Sequence, residues 1–346
     1  MAFNGRRPLR AAIVGFGVSA EKTHAPAYLK RSDVEIAACV DPSAPRREAF
    51  AKFWPWARTY ESFDALLASR SSFDFVDVAT PPARHGEAVL RALESGWNVL
   101  CEKPLAPDLL SWEALEAASR RAGRNLMTVH NWAYAPHWLK VREIIGSGAL
   151  GLIRHVEIRC LRTRPSEAAG GSWRSSAKLG WGGISVDHGW HSFYLARRCL
   201  GSELEHAEAS LEAGTPESVD ESASVFLRCG WGTTGFVYMT WRSPFRSNSA
   251  LVVGERGVVE VRDESVELRA REDDLERFDF RDKLSAGSAH PEWFARMLAD
   301  YLPALSGEKC AVAAGNLAES RFCAEALGRV REASAPRPVA LEAAAR

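Results

Sequence analysis

The chain has 346 residues, 46% of them hydrophobic and 25% charged, which is the composition of an ordinary globular protein with a full core. This length predicts two domains. Because 44 basic residues balance 44 acidic ones, the charge gives no reason to expect binding to nucleic acid or to an anionic membrane.

The seven cysteines are scattered along the chain, and none belongs to a C-x-x-C pair. This pattern predicts reduced thiols in a cytoplasmic protein rather than a disulfide framework or a zinc finger. No apolar run reaches the roughly 18 residues that a membrane-spanning helix needs, so no membrane span is predicted.

The first part of the chain alternates short apolar strands with amphipathic helices. Strands are predicted at residues 10–14, 34–40, 73–79, 99–101 and 126–130. Helices are predicted at residues 21–30, 44–52, 62–69, 83–94 and 109–122. Repeated β-α-β units of this length predict an α/β domain with a doubly wound parallel sheet and helices on both faces.

A glycine-rich loop follows the first predicted strand and opens the first predicted helix; it consists of Gly15, Phe16, Gly17, Val18, Ser19 and Ala20. Gly15 permits the tight turn, Gly17 lets the backbone approach a pyrophosphate, and Ala20 stands where close helix–strand packing is needed. The helix N-terminus adds free N–H groups for the phosphates. Strand, G-x-G-x-x-A loop and helix together predict a dinucleotide site.

The second predicted strand ends at Asp41, about 20 residues after that loop. A carboxylate at this position accepts hydrogen bonds from the adenosine ribose hydroxyls and repels a 2′-phosphate, which favours NAD over NADP. Arg46 and Arg47 follow closely and could accommodate the extra phosphate, so NADP remains possible.

From residue 153 onward, several strands follow one another through turns rather than through long helices. Strands are predicted at residues 153–161, 223–228, 234–241, 250–253, 258–261 and 266–268. Helices are predicted at residues 192–199, 291–305 and 316–333. We therefore expect a first domain at residues 1–130 and a second, α+β domain with a large, mostly antiparallel sheet at residues 131–346, whose last helices could pack back on the first.

The predicted strand at residues 99–101 delivers Glu102, Lys103 and Pro104 in succession. The proline stops the strand. Ligands of open α/β sheets bind just beyond the carboxyl ends of the strands, so Lys103 is predicted to stand at the mouth of a cleft.

A second candidate site is the glycine-rich segment that contains Asp187, His188 and His191. Asp187 and His191 are four residues apart, so on a helical turn they share a face, and an Asp beside a His tunes a proton acceptor. The alternative is a capping Asp with a structural His. A zinc site is not predicted, since the two histidines are three residues apart and no further His/Cys pair stands out.

These motifs together resemble the Gfo/Idh/MocA oxidoreductases, the family of glucose–fructose oxidoreductase and inositol 2-dehydrogenase. The resemblance covers nearly the whole chain. It rests on the glycine loop, Asp41, Thr80-Pro81-Pro82 with His85, Cys101-Glu102-Lys103-Pro104, and Trp181-Gly182-Gly183 followed by Asp187 and His191.

The resemblance implies an N-terminal Rossmann domain and a C-terminal α/β domain whose open sheet often forms the oligomer interface, so a homodimer or homotetramer is expected. It implies hydride transfer between NAD or NADP and a secondary hydroxyl or ketone of a sugar, cyclitol or related polyol. It also implies cofactor contacts from the glycine loop, Asp41, Pro42, Thr80, Pro81, Pro82, His85, Glu102, Lys103 and Asn131.

The catalytic roles implied by the resemblance fall on three residues. Lys103 is expected near the nicotinamide, with a hydrogen bond to the reacting oxygen. His191 is expected to move the hydroxyl proton, and Asp187 to orient His191 and the substrate. Charge that develops on the oxygen needs a nearby cation, and the proton needs an acceptor of suitable pKa.

Three positions depart from the family pattern and leave the substrate open. The family often has Gly at the position of Trp181, Arg at about that of Ala133, and an acidic residue at that of Tyr194. Aromatic faces suit the C–H faces of sugar rings, so Trp132, Trp173 and Trp181 are expected to contact substrate. Trp190 lies in the same part of the sequence, and the alternative is that these four tryptophans fill the interdomain core.

Two other functions are compatible with the motifs. One is a regulator that senses a bound nucleotide without turning anything over, although such a protein has no need of the Lys103, Asp187 and His191 set. The other is an enzyme that retains NAD and uses transient oxidation to drive elimination or glycoside hydrolysis.

Overall fold

In the computed structural model, residues 7–165, 173–215, 218–271, 274–287 and 289–333 are described. The N-terminal strands are β1 (Leu9–Val14), β2 (Val34–Val40), β3 (Arg58–Tyr60), β4 (Phe75–Val78), β5 (Asn98–Cys101) and β6 (Leu126–Thr128). The helices between them are α1 (Ala25–Tyr28), α2 (Ala44–Phe53), α3 (Phe63–Ala68), α4 (His85–Glu94) and α5 (Leu109–Ala122).

These strands form a parallel sheet in the order β3-β2-β1-β4-β5-β6. From β1 the strands are added first on one side, as β2 and β3, and then on the other side, as β4, β5 and β6. The place beside β1 where this direction changes is the switch point at which Rossmann folds bind dinucleotides. Strands β4 and β5 are buried along their whole length, as expected for parallel strands covered on both faces. The predicted doubly wound sheet is therefore confirmed.

The rest of the described chain forms a second sheet with helices packed against it. Its strands are β7 (Ile153–Leu161), β8 (Leu204–Ala213), β9 (Asp220–Cys229), β10 (Thr233–Thr240), β11 (Ser247–Gly254), β12 (Val258–Val261), β13 (Ser265–Arg271) and β14 (Asp274–Asp279). The helices are α6 (Pro136–Gly146), α7 (Ala177–Gly180), α8 (Ile184–Asp187), α9 (Gly189–Leu200), α10 (Pro291–Leu305) and α11 (Ala311–Ala333).

The second sheet has the strand order β14-β13-β12-β11-β7-β10-β9-β8. Neighbouring strands are antiparallel except β7 and β10, which are parallel, so the predicted mostly antiparallel sheet is confirmed. One face is buried and the other is not: in β9, Val225 and Leu227 are buried, whereas Phe226 between them is exposed. This alternation is typical of a sheet that packs helices on one side only.

Several elements were not predicted from the sequence. Strands β8 and β14 lie at the two edges of the second sheet and are rich in Glu, Asp and Ala, which have low strand propensity. Charged residues are common on edge strands because they prevent pairing with other chains. Helix α6 begins with Pro136 at its first position, where the missing proline N–H costs nothing.

The predicted helix at residues 21–30 is instead a π-helical turn, Ala20–His24, that continues into α1. Pro26 lies at the start of α1 and has no backbone N–H with which to continue an α-helical pattern. Single π turns inside helices accommodate such interruptions and occur frequently at functional sites. Among the described helices, none is long and apolar enough to cross a membrane.

The last two helices are hydrogen-bonded to the parallel sheet. Asn316 of α11 accepts the backbone N–H of Thr128 at 2.8 Å and donates to the carbonyl of Thr128 at 2.9 Å. It also contacts the hydroxyl of Tyr301 at 2.7 Å. At the C-terminal end of α10, Asn98 donates to the carbonyl of Leu305 at 3.1 Å. The C-terminal helices thus close one edge of the first sheet.

We expect Asn316→Ala to destabilise the protein by about 1–3 kcal/mol, because the buried N–H of Thr128 loses its acceptor. Urea unfolding followed by circular dichroism measures this change. The control is Glu332→Ala, at the exposed end of the same helix, which should leave the unfolding midpoint unchanged. Equal midpoints for Asn316→Ala and the wild type would show that this bond does not anchor α11.

Candidate active site

The glycine loop follows β1 and packs closely against the end of β4. Gly15 has φ +88°, and a Cβ on it would lie 2.9 Å from the carbonyl carbon of Ala79, so a larger residue does not fit. A Cβ on Gly17 would meet nothing within 4 Å, which leaves its backbone approachable. The loop therefore has the two properties that a dinucleotide pyrophosphate requires, a tight turn and open access to the backbone.

Asp41 lies at the end of β2, next to this loop. Its carboxylate accepts the N–H of Phe16 at 2.8 Å and that of Ser43 at 2.9 Å. Pro42, which follows it, is exposed. Two bonds fix the carboxylate and leave it further lone pairs for ribose hydroxyls.

The two arginines that could favour NADP have partners within the protein. The guanidinium of Arg46 forms an ion pair with Glu21 at 2.9 Å and donates to the carbonyl of Phe16. Arg47 donates to the carbonyls of Asp41 and Pro42. Their nearness to Asp41 keeps a 2′-phosphate site chemically feasible.

His85 joins the segment after β4 to the segment after β5. Its ring nitrogens lie 2.8 Å from the carbonyl oxygens of Thr80 and Pro104, and burial lowers the pKa of the imidazole. The peptide bond between Lys103 and Pro104 is cis. Because His85 contacts both Thr80 and Pro104, the Thr80-Pro81-Pro82 turn lies beside Lys103. Within this turn, Pro82 is buried and Pro81 is partly exposed.

Lys103 and Asp187 meet in the cleft between the parallel sheet and the C-terminal part. The ammonium group of Lys103 donates to the Asp187 backbone carbonyl at 2.5 Å and to its carboxylate Oδ1 at 3.0 Å. The other carboxylate oxygen accepts the Nε–H of Arg174 at 3.0 Å. Burial by itself raises the pKa of Asp187, but the charges of Arg174 and Lys103 outweigh it and hold that pKa well below its ordinary value.

His191 is positioned by Tyr194. The Tyr194 hydroxyl lies 2.9 Å from His191 Nδ1 and accepts the backbone N–H of Trp132 at 3.1 Å. Burial, followed by the positive charge of Lys103, holds the pKa of His191 well below its ordinary value, so the ring is neutral. Because a phenol can donate or accept, Tyr194 is compatible with either tautomer of His191.

The expected pairing of Asp187 with His191 on one helical face differs from what the structure gives. Asp187 ends α8 and His191 belongs to α9, and the two short helices meet at His188. The Asp187 carboxylate bonds to Lys103 and Arg174, and it lies 3.7 Å from His188. His188, between the two helices, itself has right-handed helical dihedral angles, so what differs from the expectation is the choice of partners for the Asp187 carboxylate.

The tryptophans divide into two groups. The Trp132 ring stacks on His191 with centroids 4.6 Å apart, and Trp181 lies edge-on to His85 at 6.5 Å. Trp173 lies under the guanidinium of Arg174 at 4.2 Å. Trp190 is fully buried and donates to His130, so it belongs to the core. Asn131, before Trp132, begins a single 3-10 turn at the same edge of the cleft.

Within the described ranges, no three His, Cys, Asp or Glu side chains are grouped so as to hold a metal ion. The site is organised around the ammonium of Lys103 and the neutral ring of His191, with the glycine loop and Asp41 on the cofactor side. Such a set can stabilise a developing oxyanion and exchange a proton with it.

Comparison with known proteins decides the family. A family model described as an oxidoreductase family with an NAD-binding Rossmann fold matches residues 9–130, and the GFO/IDH/MocA C-terminal domain matches residues 138–260. The chain belongs to the Gfo/Idh/MocA oxidoreductase family. The resemblance that the sequence motifs indicated is thereby confirmed.

Two curated relatives of this chain act on sugars, by their names. D-glucoside 3-dehydrogenase of Escherichia coli (strain K12) is 33% identical over 196 residues, which are 56% of this chain and 54% of that protein. The dTDP-3,4-didehydro-2,6-dideoxy-alpha-D-glucose 3-reductase of Streptomyces violaceoruber is 32% identical over 225 residues, or 64% of this chain and 63% of that protein. The chain thus spans between half and two thirds of the length of these relatives.

A solved structure shares the whole fold. A 3-ketoreductase from Actinomadura kijaniata, in complex with NADP and TDP-benzene, has a TM-score of 0.80 at 24% identity. The match covers 94% of this chain and 98% of that one. The arrangement of Rossmann domain and open C-terminal sheet is therefore the same in both proteins.

A buried charged cluster beneath Lys103 escaped the sequence analysis. His24, in the π-helical turn, lies 2.8 Å from Asp77 and 2.9 Å from Glu102 through its two ring nitrogens. Tyr28 donates to Asp77 at 2.9 Å, and the second carboxylate oxygen of Glu102 accepts the N–H of Lys103 at 3.0 Å. The sequence offered one signal for this cluster. Asp77 stands inside the apolar strand β4, and a buried charge usually has a charged or hydrogen-bonding partner.

The charge of His24 follows from its partners. Burial alone would lower the pKa of this imidazole, but Asp77 and Glu102 outweigh burial and raise the pKa to about 10. The imidazolium in turn holds the pKa of Glu102 below its ordinary value, although burial raises it. The cluster links the π-helical turn Ala20–His24 to Glu102, the residue that precedes Lys103.

We expect the free energy of unfolding to fall as the pH rises from about 6.5 to about 10. A raised pKa in the folded state stabilises the fold while His24 is protonated; this stability is complete below the pKa of the unfolded chain, about 6.5, and is lost as the pH passes through the folded-state value. Urea unfolding at several pH values measures the slope.

His24→Gln should remove most of this slope, whereas His206→Gln, in the edge strand β8, should retain it. The same slope in the wild type and in His24→Gln would mean that His24 is not the group that binds the proton.

Proposed function

We propose that this protein is an NAD(P)-dependent dehydrogenase or reductase that moves a hydride between a nicotinamide and a secondary hydroxyl or ketone of a sugar, cyclitol or related polyol. The observation that carries the proposal is the ammonium of Lys103, held by Asp187 in the same cleft as the neutral ring of His191. The two curated relatives, a dehydrogenase and a reductase of sugars, support the substrate class.

Lys103 is proposed to bind the reacting oxygen of the substrate. A hydroxyl that loses hydride from its carbon and a proton from its oxygen develops negative charge on that oxygen, and a fixed ammonium stabilises it. Asp187 and Arg174 restrict where the Lys103 ammonium can lie. We therefore propose that Asp187 acts on the substrate through the placement of Lys103.

His191 is proposed to exchange the proton. As a neutral imidazole it can accept the hydroxyl proton at Nε2 during oxidation and return it during reduction. The contact between Nδ1 and the Tyr194 hydroxyl orients the ring, and the stacked Trp132 limits its rotation. Trp132, Trp173 and Trp181 are proposed to face the sugar ring.

The bound cofactor would accept or donate the hydride. We propose that residues 1–130 hold it and residues 131–346 shape the substrate pocket. The residues proposed to contact it are Gly15, Phe16, Gly17, Val18, Ser19, Ala20, Asp41, Pro42, Thr80, Pro81, Pro82, His85, Glu102, Lys103 and Asn131. The fixed carboxylate of Asp41 supports NAD as the preferred cofactor, and an equal kcat/KM for NADP would contradict that preference.

We further propose a homodimer or homotetramer formed through the uncovered face of the second sheet. Phe226 is 40% exposed on that face, and Phe236 and Tyr238 of β10 are only partly buried there. A monomeric mass in sedimentation would contradict this assembly. A cytoplasmic location is supported by the seven cysteines, all within the described ranges and all free thiols, and cell fractionation tests it.

We expect purified protein with NAD to reduce the cofactor on at least one member of a panel of inositols, amino-cyclitols, aldoses and nucleotide sugars. Lys103→Ala and His191→Ala should each lower kcat by about 100-fold or more, because one loses the oxyanion cation and the other the proton acceptor. Absorbance of the reduced cofactor measures both.

The control is Lys140→Ala, which removes an exposed ion pair with Glu143 on α6 and should leave kcat unchanged. Tight NAD binding without turnover of any panel member would favour a regulator. Product formation without net cofactor reduction would favour an NAD-retaining eliminase or glycosidase. Near-wild-type kcat for either alanine variant would contradict the role of that residue.

A further inference from the structure

Two arginines lie at the same end of the antiparallel strands β7 and β11, beside the candidate site. The strands pair as far as Leu161, the last residue of β7, and Ser247, the first of β11; Arg162 follows Leu161 and Arg246 precedes Ser247. Like charges on neighbouring strands destabilise a sheet. We refer to Arg162 and Arg246 as the arginine pair.

Arg162 is buried without a carboxylate partner. It is 2% exposed, and its guanidinium donates to the carbonyls of Leu161 at 2.7 Å and Ser247 at 3.3 Å and to the side-chain oxygen of Asn248 at 3.1 Å. All three acceptors are neutral, and no described carboxylate lies within 4.0 Å. Its Nε–H has no partner among the described residues.

Arg246 is the more accessible member of the pair. It is partly exposed and donates to two backbone carbonyls, of Ser285 at 3.0 Å and Gly287 at 2.5 Å. Burial, and then the charge of Arg162, lower the pKa of Arg246. Since a guanidinium has five N–H donors, several of those on Arg246 remain for a ligand.

The nearby carboxylate of Asp263 is occupied elsewhere. Its oxygens accept the backbone N–H of Asn248 at 3.0 Å and the hydroxyl of Ser285 at 2.6 Å. These bonds hold together the loop that Arg246 also contacts, rather than pairing Asp263 with a guanidinium. Asp187, the other carboxylate beside the pair, is itself bonded to Lys103 and Arg174, so neither Asp263 nor Asp187 forms a described ion pair with Arg162 or Arg246.

The arginine pair belongs to the same cleft as Lys103 and His191. The guanidinium carbon of Arg162 lies 5.6 Å from the centroid of the Trp132 ring, which also stacks on His191. Burial raises the pKa of the Cys160 thiol to about 11, and the charges of Arg162, Asp187, Arg246 and Lys103 all act on it. These four charged groups are therefore close enough to Cys160, which is buried in strand β7, to act on the same thiol.

We propose that the arginine pair binds an anionic oxygen group of the substrate, a carboxylate or a phosphate, so that the substrate is an acidic sugar or acidic polyol. The inference rests on the proposed function. A buried cation without a counter-ion is costly, and arginine is the residue best suited to carboxylate and phosphate oxygens. Arg246 contacts the anion directly, and Arg162 supplies the second charge from behind the strand ends.

The test is equilibrium binding to the NADH-loaded protein, by calorimetry, of three matched pairs: D-glucose and D-glucuronate, D-galactose and D-galacturonate, and myo-inositol and its 1-phosphate. We expect at least one acidic member to bind about tenfold or more tightly than its neutral counterpart. Higher salt should weaken that preference. The uronates and the phosphate distinguish a carboxylate site from a phosphate site.

Arg246→Gln should reduce the ratio of acidic to neutral affinity by about tenfold, because the side chain keeps a hydrogen-bonding amide and loses its charge. The matched control is Arg228→Gln, an exposed arginine of β9 in the same sheet, which should preserve the ratio. Arg162→Lys tests the inner position while keeping a positive charge there.

The proposal is overturned if no acidic member binds more tightly than its neutral counterpart, or if Arg246→Gln keeps the wild-type ratio; the arginines then serve only to tie backbone carbonyls together. Binding of an acidic sugar through the arginine pair without cofactor reduction would contradict the proposed dehydrogenase and leave this site standing. Turnover of neutral sugars, with no acidic sugar turned over, would support the proposed dehydrogenase and contradict the anion site.

Discussion

The contact between Lys103 and Asp187 is the interaction on which the candidate site depends. Lys103 comes directly after a buried strand of the parallel sheet, and Asp187 ends a short helix that packs on the second sheet. Burying an ion pair costs desolvation free energy, so such a pair is weak evidence for stability. Its value here is positional, because it holds an ammonium at a fixed place between the end of β5 and the end of α8.

A second set of charges holds the end of β5, next to Lys103. Glu102 receives a hydrogen bond from His24, whose ring is stacked on Phe294 of α10 at 4.1 Å. The C-terminal helices therefore cover the charged cluster as well as the edge of the parallel sheet. The π-helical turn that holds His24, the end of β5 and helix α10 form one packed unit. This packing limits the movement of the backbone at Lys103.

Features encoded by neighbouring residues were predictable from the sequence. The glycine loop, Asp41 and Lys103 follow from a strand and the residues that come directly after it, and both sheet types follow from the spacing of apolar segments. Features made by distant segments were not. No local pattern could indicate that the Tyr194 hydroxyl accepts the N–H of Trp132, that Arg162 donates to Ser247, or that His24 bridges two carboxylates.

Errors in the predicted elements had the same origin. Asp187 and His191 do lie four residues apart along helical segments, but the carboxylate of Asp187 bonds to Lys103 and Arg174, which come from distant parts of the chain or from a preceding turn. The edge strands β8 and β14 have unfavourable compositions and form because a neighbouring strand offers its hydrogen-bonding groups. Tertiary contacts override local propensity at such places.

The most direct test of the account is a structure of the protein with NAD and a substrate that it turns over. We predict that the reacting oxygen lies within hydrogen-bond distance, about 2.6–3.2 Å, of both Lys103 Nζ and His191 Nε2. A substrate whose reacting oxygen contacts neither group, in a complex whose dinucleotide pyrophosphate is bound at the glycine loop, would contradict the central claim.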